Sequence, residues 1–395
     1  MIPLLVLTTT YPRWKSDVEP AFVHQLSKRL TDAFTVHVIA PWAPGSALVE
    51  RMDGVQIHRF RYFPARWGLL AYDGGIVPSI RRHPWMIIQL PFFAVAMLLA
   101  SLRVSRKYRV TLVHAHWIVP GGIIALLLKL LRGGRTRILL TSHGADLYAL
   151  TSKFWKKLQR EVINRVDQFT VVSRSMADHV ASALNTNKLA RIEPMGIDAQ
   201  QQFTSKRSWG DREGIVFVGR LVEKKGVNDL LDAYARIAAD YDIKLTLVGD
   251  GPERGALAMQ AIQLGVKGRV TFLGAVPSDN VGDYFNHAKI AVMPSIVASD
   301  GDQEGLGLVA GEAICSGCIG VVSNLSAIND VHDESLLQFQ ASNVDSLEMR
   351  LRWVLENEAE ARSLTIELRK RIVKRFDWAE VANRYEAILD DLVET

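Results

Sequence analysis

Two glutamates, Glu304 and Glu312, are separated by seven residues in SDGDQEGLGLVAGEA, Ser299 to Ala313. The small residues around them suit a loop running into a helix. A helix beginning around Leu306 or Gly307 puts Glu304 just before it and Glu312 about two turns inside, with the carboxylates about 12 Å apart if they address one side. That is too far for an acid and a base acting on one bond. It suits two grips on an extended ligand, so the pair reads as acceptors for sugar hydroxyls rather than as a hydrolytic pair. The glycines Gly305 and Gly307, with Leu306 between them, would present backbone N–H groups and the positive end of the helix to phosphate or hydroxyl oxygens.

Other stretches carry compatible chemistry. In VGRLVEKKG, Val218 to Gly226, Gly219 lets the chain leave a strand tightly, and Arg220 and Lys225 follow as cations. A guanidinium for bidentate contact and a compact ammonium suit a diphosphate, although a basic surface loop has the same composition. LVGDGPER, Leu247 to Arg254, places Gly249 and Gly251 at a strand–turn–helix junction where backbone can approach a ligand, which is also ordinary turn chemistry. TSHGADLY, Thr141 to Tyr148, sets His143 at a strand end, with Asp146 placed to orient it or its loop. His114 and His116 in VHAHWIVPGG have a spacing that can ligate metal, but no carboxylate or cysteine cluster completes a site. They are assigned to packing or, for His116, to the acceptor side. Cys315 and Cys318 form a C-x-x-C at a helix end, where packing is expected rather than redox chemistry.

Strand-like runs alternate with helical ones and position these residues. PLLVLTT, FTVHVIA, VQIHRF, VTLVHAH, RILLTSH and QFTVVS fall in the first half. GIVFVGR, KLTLVGD, RVTFLGA, IAVMPS and GVVSN fall in the second. The alternation predicts an α/β fold of two doubly wound, Rossmann-like domains facing across a cleft, with ligands beyond the carboxyl ends of the strands. The polar stretch from Glu193 to Arg212 is expected as the linker. The domains are placed at 1–195, completed by a C-terminal helix over 378–395, and at 196–377.

GRLVEKKG, LVGDGPE and the two glutamates, in this order, resemble the retaining glycosyltransferases of the GT-B fold, specifically glycosyltransferase family 4. The resemblance runs over nearly the whole chain. It implies that Arg220 and Lys225 hold the diphosphate of a nucleotide-sugar donor, that Glu304 contacts donor-sugar hydroxyls, and that Glu312 contacts the ribose. Backbone at Gly305, Leu306 and Gly307 would assist, and His143 would lie beside the transferring sugar. Thr8 to Val23 (TTTYPRWKSDVEPAFV) occupies the place of a double-glycine loop that this chain lacks, with Arg13 on the acceptor side. The implied reaction is retaining transfer to a hydroxyl, with cations and a helix N-terminus stabilising the leaving diphosphate in place of a metal. No cofactor is expected.

The first half, 1–195, holds 26 Lys and Arg against 11 Asp and Glu, whereas 196–395 holds 21 against 31. Such a split predicts an anionic partner for the first half. MIIQLPFFAVAMLLASLRV, Met86 to Val104, is nearly apolar with basic flanks, and is expected as a helix that packs on the fold or docks in a membrane interface. No stacking motif accompanies the charge, so nucleic acid is excluded as a partner. Two cysteines and an N-terminus without a basic n-region favour the cytoplasm. These features predict a peripheral enzyme at the inner face of the cytoplasmic membrane, acting on a polyprenyl-diphosphate glycan in bacterial surface-polysaccharide or lipopolysaccharide synthesis. The alternatives are a soluble acceptor, a nucleotide-sugar epimerase, or an inactive partner subunit.

Overall fold

The computed structural model describes residues 1–394 apart from 16, 18, 65, 69, 73 and 74. The positions of Ser16 and Val18 within the Thr8–Val23 stretch, and Thr395 at the end of the expected last helix, lie outside the described residues. The chain divides into two compact units, Met1–Met195 with Val381–Thr395, and Gly196–Glu380. The last helix, Trp378–Glu394, begins in the second unit and supplies its remainder to the first.

The first unit is built on β1 (Ile2–Leu7), β2 (Phe34–Pro41), β3 (Val49–Met52), β4 (Val55–Phe60), β5 (Leu112–His116), β6 (Arg137–Ser142), β7 (Gln168–Val171) and β8 (Arg191–Ile192). Their spatial order is β3-β4-β2-β1-β5-β6-β7-β8. All neighbours pair in parallel except the edge strand β3, which forms an antiparallel hairpin with β4 through Asp53 and Gly54, both at positive φ. The central strands are buried throughout, as β5 shows with five buried residues in succession. Strand order reverses between β1 and β5, so the loops after these strands open at a switch point.

The helix Gln89–Lys107 buries Phe93, Met97, Ser101 and Val104 at helical spacing and leaves Phe92, Val95 and Leu99 exposed. The segment packs on the fold by one stripe and presents the other outward.

The second unit is wholly parallel. It contains β9 (Ile215–Val218), β10 (Leu245–Val248), β11 (Val270–Gly274), β12 (Ile290–Met293), β13 (Ile319–Ser323) and β14 (Gln338–Phe339), in the order β11-β10-β9-β12-β13-β14. This is the Rossmann order 3-2-1-4-5-6, with its switch point between β9 and β12. Phe217, Leu230, Tyr234, Leu247, Val292 and Leu351 fill one side of the sheet, and Val216, Phe285, Ala313, Ile314 and Ile372 the other. The 193–212 stretch, expected as the linker, contains the division between the units and is itself packed. Met195, Ile197, Ala199, Phe203 and Arg212 are buried, and Ile197 bridges Asp377.

Candidate active site

The loops after β9 and β12 meet at the switch point of the second unit. Three consecutive side chains after β9 hold the loop after β12. Glu223 accepts from the Ser299 N–H and hydroxyl at 2.8 and 2.9 Å, and Lys224 donates to Asp302 at 3.1 Å. Lys225 Nζ lies 2.9 Å from Glu304 Oε1, an ion pair rather than an aligned hydrogen bond. Behind them the backbones touch closely, and a Cβ on Gly226 would meet the Pro294 carbonyl oxygen at 1.9 Å. Glu223 and Lys224 were not singled out from the sequence, although the unbroken charged run they form with Lys225 was the available signal.

Burial pushes the Glu304 carboxyl up, but the ammonium groups of Lys225 and Lys224 outweigh it and hold its pKa below the ordinary 4.5. Glu312 differs. Burial pushes its carboxyl up to about 7, and Lys225 offsets only part of that. Lys225 thus acts electrostatically on both glutamates, ionising one and leaving the other near its midpoint at neutral pH.

The helix that carries Glu312 runs Leu308–Cys315, with Gly307 as its N-cap. It starts later than expected, so Glu312 lies little more than one turn inside, and residues 304–307 form an irregular loop rather than helix. The two-turn spacing therefore does not describe the pair. Their shared relation to Lys225 is what brings them together. The acidic loop Asp300-Gly301-Asp302, expected to shape the sugar pocket, has the spacing of a metal-binding D-x-D pair, although the sequence was read as lacking that motif. Asp302 is turned to Lys224, and its N–H donates to Asp300. Among the described residues no group of three His, Cys, Asp or Glu side chains is placed to hold a metal.

Gly249 and Gly251 are explained by packing. A Cβ on Gly249, at φ +137°, would lie 1.8 Å from the Gly219 oxygen, and one on Gly251 would lie 2.3 Å from the Leu221 oxygen. They keep the loop after β10 pressed on the loop after β9. Arg220 is exposed near the start of the loop after β9.

In the first unit His143 follows β6. Its Nε2 is 2.9 Å from His116 Nδ1, the rings stack at 5.1 Å, and Phe22 and Trp117 flank it at 4.8 and 5.0 Å. Phe22 and Trp117 had no sequence signal beyond their aromaticity. Trp117, at φ +64°, holds an unfavourable backbone conformation where β5 ends. His114 Nε2 pairs with Thr141 Oγ1, which pairs in turn with Thr170. Burial lowers all three histidines, His143 and His114 to about 3, so each is neutral at physiological pH. An imidazole whose pKa is held this low is a weak proton acceptor at neutral pH.

Asp146 accepts from the Ile118 N–H and the Ser142 hydroxyl at 2.6 and 2.7 Å, so it fastens the loops after β5 and β6 rather than the imidazole of His143. Arg13 forks onto Asp17 at 2.8 and 2.7 Å and lies over Trp14, which ties its guanidinium into its own loop. Cys315 and Cys318 are buried thiols whose pKa burial pushes up to about 12.

Two Rossmann-like units, one with cations and carboxylates gathered at its switch point, define a transferase of the GT-B type. The chain belongs to glycosyltransferase family 4: the Glycosyltransferase Family 4 profile matches residues 21–201, and that of the glycosyl transferases group 1 matches residues 198–375. Similar curated proteins include N-acetyl-alpha-D-glucosaminyl L-malate synthase of Bacillus anthracis, 26% identical over 89% of this chain and 95% of that one. Another is the GDP-mannose-dependent alpha-(1-6)-phosphatidylinositol monomannoside mannosyltransferase of Mycobacterium tuberculosis, 25% identical over 85% of this chain and 90% of that one. Among solved structures, sucrose-phosphate synthase from Thermosynechococcus elongatus shares the fold at a TM-score of 0.78 and 20% identity over the full length of both. Anabaena HepE in complex with UDP-glucose does so at a TM-score of 0.75 and 15% identity, over 99% of this chain and 100% of that one.

Proposed function

We propose that this glycosyltransferase moves a sugar, with retention and without a metal, from a nucleotide-diphosphate sugar to a hydroxyl of a polyprenyl-diphosphate-linked glycan. The reaction belongs to surface-polysaccharide assembly at the inner face of the cytoplasmic membrane. The observation that carries the donor half is Lys225, which pairs with Glu304 and influences Glu312 at the Rossmann switch point.

Lys225 and Arg220 hold the donor diphosphate, assisted by the N-terminus of Leu308–Cys315 and the backbone of Gly305–Gly307. Glu304, ionised by its lysines, accepts from sugar hydroxyls, and Glu312 from the ribose. The bond from the anomeric carbon to the diphosphate oxygen breaks as the acceptor oxygen bonds to the same face, and the acceptor proton passes to the departing phosphate. His143 positions the sugar, and His116 fixes the orientation of His143. No divalent ion is required, because cationic side chains meet the charge that develops on the leaving group.

The exposed apolar stripe of Gln89–Lys107 supports the acceptor half, as does likeness to an enzyme whose name gives a phosphatidylinositol mannoside as acceptor. The Bacillus anthracis relative, named for L-malate, favours a soluble acceptor as the second reading.

The test incubates the protein with radiolabelled nucleotide sugars, chelator and either a polyprenyl-diphosphate glycan or small hydroxy acids. Chelator-resistant label in the lipid extract, with the donor's anomeric configuration by NMR, is the expected result. Label only in the aqueous product would replace the lipid acceptor with a soluble one, and inversion would overturn the stereochemistry.

A further inference from the structure

The second unit contains a cavity of about 400 Å³ that takes no part in this reaction. Its lining includes Arg207, Arg212, Arg362, Arg369 and Lys370, the indole of Trp209, and hydroxyls from Thr204, Ser205 and Thr365, with no carboxylate. Arg212 and Gly317 precede β9 and β13, so the cavity opens at the amino edge of a parallel sheet whose carboxyl edge carries Lys225 and Glu304.

Arg212 is 3% exposed and gives its donors only to neutral oxygens: the carbonyls of Phe285, Ala288 and Ser316, the Ser205 hydroxyl and the Asn286 amide oxygen. Its nearby thiol, Cys318, stays protonated at neutral pH. Among the described residues no carboxylate is ion-paired with Arg207, Arg212, Arg362 or Arg369. A guanidinium taken out of water without a counter-charge is costly, and surrounding cations raise that cost.

Arg362, Thr365, Ile366, Arg369 and Lys370 share one face of the helix Glu358–Phe376. Arg362 lies over the Trp209 ring at 5.3 Å, and Arg369 spends its Nε on the Cys315 carbonyl. Lys370 pairs with Glu367, both well exposed, which makes that pair weak and replaceable, and Glu358, which also acts on Arg362, is ion-paired with Lys289.

The geometry points to a second anion site here, for a small phosphate-bearing ligand whose phosphate supplies the missing counter-charge between Arg212, Arg362 and Arg369. The cavity exceeds what a lone phosphate fills, and Thr204, Ser205 and Thr365 offer hydroxyl partners for an attached sugar. Trp209 lines the same cavity and steadies Arg362 from beneath.

Thermal melts at constant ionic strength, with phosphate replacing chloride, test this on the intact chain, and Lys225→Ala separates the cavity from the donor site. Inorganic phosphate and a hexose phosphate form the two arms. We expect either anion to raise Tm above chloride, with binding at least tenfold weaker in R362A/R369A and unchanged in Lys225→Ala. A tighter hexose phosphate identifies a phosphosugar site, and equal affinity identifies free phosphate as the ligand. Equal melts of R362A/R369A and wild type in chloride establish that the variant folds. No difference between phosphate and chloride in wild type would overturn the assignment. So would a shift that survives R362A/R369A and vanishes in Lys225→Ala.

Discussion

Lys225 favours ionisation of two partly buried carboxylates, and they differ because burial outweighs it at Glu312 but not at Glu304. Glu304 is paired and ionised, whereas Glu312 titrates at about 7 in the unliganded protein. Folding raises the Glu312 pKa from its ordinary 4.5, so its contribution to stability is whole below that value and is lost as pH rises through 7. Glu312→Gln removes the charge but keeps the shape. It is expected to stabilise the unliganded protein at about pH 8 by on the order of 1–3 kcal/mol, with the difference shrinking to nothing near pH 4.5. Urea titrations of both proteins across this range check it, and a pH-independent difference would refute the assignment. Glu304 has the opposite sign, since its stabilisation is lost as pH falls below 4.5.

At the scale of elements, the donor site depends on loops that approach one another more closely than side chains allow. Gly249→Ala would drive a Cβ into the Gly219 carbonyl and impose a backbone angle that alanine disfavours. It should cost about 2–4 kcal/mol in denaturant melts while leaving the catalytic groups in place. A loss within about 0.5 kcal/mol would show that the loops yield easily. The strands around these loops were legible in the sequence because buried parallel strands read as short apolar runs ending in glycine or polar residues. Three features were less legible, each for a different reason. The edge strand β3 alternates too briefly to stand out beside its Asp53-Gly54 turn. The start of Leu308–Cys315 was placed early because glycine permits helix and loop alike. The Lys225–Glu304 pair joins residues from separate strands, and no local pattern reveals such a contact. His143 was singled out from its strand-end position and the family resemblance, whereas the imidazole of His116 against it depends on the register of β5 with β6.

At the scale of the whole molecule, the excess positive charge of residues 1–195 lies in the part of the chain that carries the apolar helix. Ile88, Phe92, Val95 and Leu99, each more than half exposed, lead along one stripe to exposed Arg103 and Arg106. An apolar stripe ending in arginines suits an anionic bilayer interface, with the side chains among the acyl tails and the guanidiniums at the headgroups. Vesicles containing phosphatidylglycerol should bind the protein and release it as salt rises from about 0.05 to 0.5 M. The double variant F92E/L99E should bind at least tenfold more weakly with an unchanged melting temperature. Binding equal to wild type in sedimentation would remove the membrane from the account.

The central claim is that Lys225, Glu304 and Glu312 hold a nucleotide-sugar donor, and nucleotide-dependent melting in chelator tests it most directly. UDP, GDP, ADP and dTDP are presented in turn to wild type, Lys225→Ala and Glu312→Ala. The account predicts that at least one raises the wild-type Tm without metal, and that the shift is lost in Lys225→Ala and reduced in Glu312→Ala. No shift with any nucleotide, or shifts identical in all three proteins, would contradict it and leave a GT-B fold without a donor site at these residues.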